Sequence, residues 1–151
     1  MMRLLFIMRQ EGFTLTEILV VVAIFSILAA IAVPNWSTLL PTYALNSAAR
    51  QVQSELHNAK SRAAAQNASY QLSFLTTSSS YTIEKNGVST GENKPLPEGI
   101  TIASATVLGF TSRGISSDST EKTVKLCNNK GAGKNIVLSP TGRIRIDNAT
   151  C

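Results

Sequence analysis

Two arginines stand one residue apart near the end of the chain, in Ser139-Pro140-Thr141-Gly142-Arg143-Ile144-Arg145-Ile146. A guanidinium is a planar fork of N–H donors that matches phosphate or carboxylate bidentately. Ser139–Gly142 reads as a turn. In the strand that follows, a period of two puts Arg143 and Arg145 on one face and Ile144 and Ile146 on the other, toward a core. The arginine Cα atoms are then about 6.5–7 Å apart, close to the spacing of successive phosphates along a nucleic-acid strand. Lys130 and Lys134, in the preceding hairpin loop, widen the basic patch. No aromatic residue interleaves with these cations, so base stacking is not expected. Binding through them is phosphate-led, indifferent to sequence and steeply salt-dependent. The competing reading is a hairpin whose arginines pair with Asp147, the terminal carboxylate or a neighbouring chain.

The second chemical group is a carboxylate in an unexpected place. Phe13 to Val33 holds 21 residues and one charge, Glu17. As a helix this run is roughly 31 Å long, the thickness of a hydrocarbon core. An ionised side chain there is costly unless paired, and marks function by default. Arg3 and Arg9 precede the run and no Lys or Arg follows until Arg50. That asymmetry orients the N-terminus to the cytoplasm and the remainder outside it. The one candidate cleavage point, Gly12/Phe13, comes before the apolar run. An ordinary secretory signal is cut after it.

Cys127 and Cys151 are the only cysteines, and His57 the only histidine. These are too few and too scattered for a metal centre. In an exported domain the two cysteines point to one disulfide; in the cytoplasm they would be free thiols. No phosphate-binding glycine loop and no nucleophile–base constellation stands out, so no enzyme activity and no cofactor are expected.

The elements that must position these groups follow from the pattern. At 151 residues the chain suits one domain with a modest core. Its formal charge is +5, concentrated after Ser112, where seven lysines and arginines face three acids. Such an end suits polyanions or, more plainly, a solvated basic surface. After the apolar run, Pro34 and Pro41 are expected to kink a helix rather than end it. Beyond them Leu45, Ala48, Ala49, Val52, Leu56, Ala59 and Ala63 recur at helical spacing, one stripe on an amphipathic helix that fades at Gln66-Asn67. His57 falls off the stripe and is expected in solvent. From Ser69 short β-prone stretches alternate with turn residues: Tyr70–Leu75, Tyr81–Glu84, Ile100–Ala103, Val107–Thr111, Thr123–Cys127, Asn135–Leu138 and Arg143–Asp147. Gly99 and Gly114 are expected in turns and Phe110 in the core. The expected fold class is α+β, a long N-terminal helix packed on an antiparallel sheet or two small sheets.

GFTLTEILVVVAIFSILAAIAVP resembles the N-terminal signature of type IV pilins and type II secretion pseudopilins. The matching features are Gly12 before Phe13, Glu17 four residues after Phe13, and Pro34 near the end of the apolar run. The segments PLPEGITI, LGFTSRG, VKLC and NIVLSPTGRIRI narrow the resemblance to H-type pseudopilins and FimT-like minor pilins. It implies a pilin-like fold, divided into a leader at 1–12, a transmembrane and filament-core helix at 13–34, an amphipathic helix at 35–67 and a β domain at 68–151. It implies cleavage between Gly12 and Phe13 by a prepilin peptidase and N-methylation of Phe13. Glu17 of one subunit would pair with the Phe13 amine of its neighbour. The implied location is the bacterial inner membrane, single-pass, with the C-terminal domain in the periplasm, and then a pilus or pseudopilus built with other major and minor pilins. In FimT-like minor pilins of naturally transformable bacteria a C-terminal Gly-Arg-x-Arg motif is associated with binding double-stranded DNA, and Gly142, Arg143 and Arg145 match it. The alternative is an H-type pseudopilin acting in protein secretion with no DNA binding.

Overall fold

The computed structural model describes residues 12–104 and 106–151, apart from the side chains of residues 32–38. Helix α1 runs Leu15–Gln66, 52 residues. It begins two residues after Phe13 because Thr14 caps it. The Thr14 Oγ1 accepts the Glu17 N–H at 3.2 Å, and the Thr14 carbonyl accepts the Ile18 N–H at 3.2 Å. Thr-x-x-Glu at a helix start is the sequence form of a capping box. A carboxylate in the first turn is also favoured by the positive end of the helix dipole. α1 continues through Pro34 and Pro41, although each proline removes an N–H donor from the ladder. It stops at Asn67, whose φ is 47°. The next residue, Ala68, donates its N–H back to the Ala63 carbonyl at 3.2 Å, and both alanines are buried. This is a Schellman stop with Asn in the left-handed position.

The chain falls into two units, divided between Ser37 and Thr38. In the first, every described side chain from Gly12 to Ile31 is exposed, Phe13 and Leu15 by about four-fifths. Among the described residues no helix is long and apolar enough to cross a membrane. The expected spanning segment reaches Pro34, and its side chains from residue 32 onward, like the leader up to residue 11, lie outside those described.

The second unit, Thr38–Cys151, holds two four-stranded antiparallel sheets and the C-terminal half of α1. Among the described residues eight strands follow the helix: β1 Tyr70–Leu75, β2 Ser80–Lys85, β3 Val88–Pro95, β4 Ile100–Ile102, β5 Val107–Phe110, β6 Lys122–Asn128, β7 Ala132–Leu138 and β8 Ile144–Thr150. Their order is β3-β2-β1-β5 in one sheet and β4-β6-β7-β8 in the other. All seven residues of the predicted helical stripe are buried. They share one core with Leu72, Tyr81 and Phe110 of the first sheet and Val124, Leu126, Ile136 and Leu138 of the second. Leu56, fully buried at its centre, contributes about 1.5–3 kcal/mol by burial alone. His57 is exposed, as its place off the stripe requires.

One strand differs from expectation. β3, Val-Ser-Thr-Gly-Glu-Asn-Lys-Pro, has almost no buried side chain and no alternation to reveal it. It exists because Asn86 and Gly87, at φ 52° and 77°, form a tight two-residue hairpin that returns the chain onto β2. The Thr90 hydroxyl on the Ile83 carbonyl (2.9 Å) and a 2.6 Å ion pair from Lys94 to Glu55 of α1 fasten it.

Candidate functional site

The basic hairpin is β7–β8, with β8 at the edge of its sheet. Ile136 faces Ile146 and Leu138 faces Ile144, which puts both β8 isoleucines partly against the core. The Ser139 N–H donates to the Arg143 carbonyl at 2.9 Å, extending the ladder one residue beyond the strands. Pro140-Thr141-Gly142 is thus a three-residue loop. Its last residue takes the left-handed conformation, φ 79°, and donates its N–H to the Ser139 carbonyl at 2.8 Å. Gly142 is also packed from outside. A Cβ there would strike the Gly114 carbonyl oxygen and lie 3.2 Å from the Ile115 Cα. The Ser116 N–H donates to the Pro140 carbonyl at 3.2 Å, and the Lys60 ammonium of α1 donates to the Gly142 carbonyl at 2.9 Å. The hairpin tip is therefore held by the helix on one side and by the loop at 111–117 on the other.

The two arginines differ in their surroundings. Arg143 is exposed and its guanidinium has no ion pair or hydrogen bond among the described residues. Arg145 is committed. Its two terminal nitrogens donate to both oxygens of Glu121, at 2.8 and 3.2 Å, and its Nε donates to Asp147 Oδ2 at 3.0 Å. The Ser139 hydroxyl donates to the same Glu121 at 3.0 Å. The Arg145 fork, then Ser139, hold the Glu121 carboxyl below its ordinary pKa, while Asp147 and then Glu121 raise that of Arg145.

The lysines do not join them. Lys134 pairs in register with Asn148 and shares the strand face of Ile136, whereas Arg145 pairs with Val137 on the opposite face. The Lys134 ammonium is bound to Asn148 Oδ1 at 2.6 Å. Lys130 sits in the β6–β7 turn, at the other end of the hairpin from Arg143. From Lys134 to Leu138 alone, four residues of strand span about 13 Å. The expected five-residue patch is thus divided by strand parity and strand length. Two basic residues at the same junction are not marked by the sequence pattern: Arg113, which precedes Gly114, and Lys60. The one signal in the sequence was the mirrored pair Arg113-Gly114 and Gly142-Arg143. Nothing in the spacing said that the two glycines touch.

Cys127 and Cys151 form a disulfide, Cα to Cα 6.0 Å, closing the end of the sheet opposite the Gly142 loop. The Cys151 N–H donates to the Gly131 carbonyl at 2.9 Å, and only a glycine fits at 133, where a Cβ would come within 2.6 Å of the Cys151 sulfur.

At the other end of the chain, Gly12 and Phe13 precede the helix outside any helix or strand and are exposed, and beyond the chain neighbours no atom of the described residues lies within 4 Å of a Cβ built at Gly12. Glu17 is exposed in the first turn, with no cation paired to its carboxylate among the described residues. Thr14 and Thr16 bond each other at 3.0 Å, and the Ser26 hydroxyl donates to the Val22 carbonyl at 2.7 Å. Glu17 is the one charged side chain from Phe13 to Val33. Among the described residues no group of His, Cys, Asp and Glu is placed to hold a metal ion.

Comparison with known proteins agrees with these two ends. Residues 7–33 match the prokaryotic N-terminal methylation motif, and residues 48–142 match the family described as type II transport protein GspH. A type IV major alpha-pilin of Moraxella bovis is 33% identical over 105 residues, 70% of this chain and 64% of the relative, so the chain spans less than two-thirds of that protein's length. Two crystal structures of the type IV minor pilin FimU from Pseudomonas aeruginosa share the fold. Their TM-scores are 0.56 and 0.55 at 24% identity, covering 68% of this chain and 87% and 92% of theirs. With a prepilin methylation motif at one end, a GspH match across most of the remainder and a pilin-like α+β fold, the chain belongs to the type II transport protein GspH family of type IV minor pseudopilins.

Proposed function

We propose that this chain is a minor pilin or pseudopilin made as a prepilin and held in the inner membrane by its apolar helix, with the β domain in the periplasm. A prepilin peptidase cuts between Gly12 and Phe13 and methylates the new Phe13 amine. The subunit then assembles with major and minor pilins into a type IV-type filament. The observation that carries this reading is Glu17: an exposed carboxylate with no cation among the described residues, one turn into a helix whose described side chains up to Ile31 are all exposed. So large an apolar surface requires lipid or neighbouring helices to cover it. Once covered, the carboxylate requires a cation, and cleavage creates one at Phe13. At an effective dielectric of about 20, unit charges ~4 Å apart attract by about 4 kcal/mol. The test is intact-mass spectrometry of the chain from cells with and without a prepilin peptidase. The expected product begins at Phe13 and carries one added methyl group. A chain left uncut, or cut after the apolar run, overturns the proposal.

Arg143 supports a second, compatible role: capture of extracellular double-stranded DNA for uptake. It is a solvent-facing guanidinium on a hairpin tip fastened from two sides. Full-length protein in nonionic micelles, titrated with duplex DNA over a salt series, tests it. Arg143→Ala is expected to flatten the slope of log affinity against log salt by about 0.9. No binding by the wild type at low salt leaves a secretion pseudopilin without DNA binding as the function.

A further inference from the structure

We infer that Arg113, from a separate loop, forms the polyanion-binding surface together with Arg143, above Lys60, and that Arg145 lies outside it. The inference rests on the polyanion role of Arg143 and names the residues that share it. Gly114 and Gly142 touch, backbone against backbone. Arg113 and Arg143 each adjoin one of these glycines, so the contact places their Cα atoms at most about 14 Å apart. Both are exposed, and neither guanidinium has an acceptor among the described residues. The ammonium of Lys60 lies at the same junction. It donates a hydrogen bond to the Gly142 carbonyl, and its carbon stem lies 3.5 Å from where a Cβ would stand at Gly114. Three basic residues thus adjoin one glycine contact, with no carboxylate paired to any of them among the described residues.

The acids of this region are already committed. Asp118 is 3.8 Å from Lys122, and Glu121 and Asp147 surround Arg145. Glu121 grips Arg145 with the same two-pronged geometry a phosphate would use. A phosphate reaching Arg145 must first displace that carboxylate and face Asp147. At Arg113 and Arg143 nothing has to be displaced.

The experiment compares wild type with Arg113→Gln, Arg113→Lys, Arg143→Gln and Arg145→Gln, as full-length chains in nonionic micelles. Each is titrated with a fluorescent duplex between about 50 and 200 mM salt. Arg113→Gln and Arg143→Gln are each expected to lower the slope by about 0.9, with unchanged melting temperatures. Arg113→Lys retains the charge and restores the slope. Arg145→Gln leaves the slope at the wild-type value. An unaltered slope in Arg113→Gln, or an equal loss in Arg145→Gln, overturns this inference while the DNA reading survives. Absence of wild-type binding overturns both. Competition by polyglutamate as strong as by duplex at equal charge assigns the surface to an acidic protein partner and overturns it too.

Discussion

Replacing Gly142 by alanine measures how firmly the basic tip is held. Two costs add there. The backbone is at φ 79°, where an L-residue costs about 1–2 kcal/mol. The new methyl would also collide with the Gly114 carbonyl and crowd the Ile115 Cα at 3.2 Å. Forcing a group into occupied space costs about 1–3 kcal/mol. Gly87 is the internal control. Its φ is 77°, but a Cβ there meets nothing within 4 Å, so Gly87→Ala carries only the backbone cost. The difference between the two variants, about 1–3 kcal/mol, isolates the contact between the hairpin tip and the 111–117 loop. A folded unit of this size shifts its melting temperature by roughly 4 °C per kcal/mol. Thermal unfolding followed by far-ultraviolet circular dichroism, in the same micelles for both variants, should show Gly142→Ala melting roughly 4–12 °C below Gly87→Ala. Gly142→Ala should also weaken duplex binding, because it separates Arg113 from Arg143, and Gly87→Ala should not. Equal melting temperatures and equal binding refute the docking of the tip.

Three further outcomes follow from named contacts. Glu121 has its pKa lowered by Arg145 and Ser139, so between that lowered value and the ordinary carboxylate value of about 4.3 the unfolded chain binds more protons than the folded one. Its contribution is therefore complete above that window and lost as pH falls through it; melting temperatures from about pH 2.5 to 5 should fall less steeply for Glu121→Gln than for wild type. Replacing both Cys127 and Cys151 by serine opens a loop of sequence separation 24, which costs about 3 kcal/mol by loop-closure entropy, and urea unfolding should report a loss of that size. Leu56→Ala removes a fully buried side chain at the helix–sheet seam and should cost about 2–5 kcal/mol in the same assay.

The sequence was most legible where a period repeats or a motif fixes an offset. The stripe from Leu45 to Ala63 became the helical half of the core because its spacing admits one buried face. The alternation of Ile144 and Ile146 placed them inward for the same reason. β3 was not legible, since its stability comes from the Asn86-Gly87 turn and from Lys94 reaching Glu55, and its own residues show no buried face. The basic patch was legible only in part. Arg143 and Arg145 look equivalent as letters, but Glu121, far off in sequence, binds one and leaves the other free. Lys134 looked like a neighbour, yet β7–β8 pairing turns it to the opposite face. Arg113 is brought to the hairpin tip only through contact of two glycines, an event of tertiary packing that no local pattern records. The sequence marks Glu17 as a charge that needs a partner; the structure adds that the residue also stands third after the Thr14 cap.

The central claim is that Glu17 serves assembly, and Glu17→Gln tests it most directly. Glutamine keeps the shape, the helix propensity and the backbone bond to Thr14, and removes only the charge. In cells that carry the pilins and prepilin peptidase, membrane and sheared-filament fractions would be probed for the chain. The account predicts that Glu17→Gln is inserted and cut at Gly12/Phe13 as wild type is, and is missing from the filaments. Wild-type abundance of Glu17→Gln in the filament fraction would contradict it.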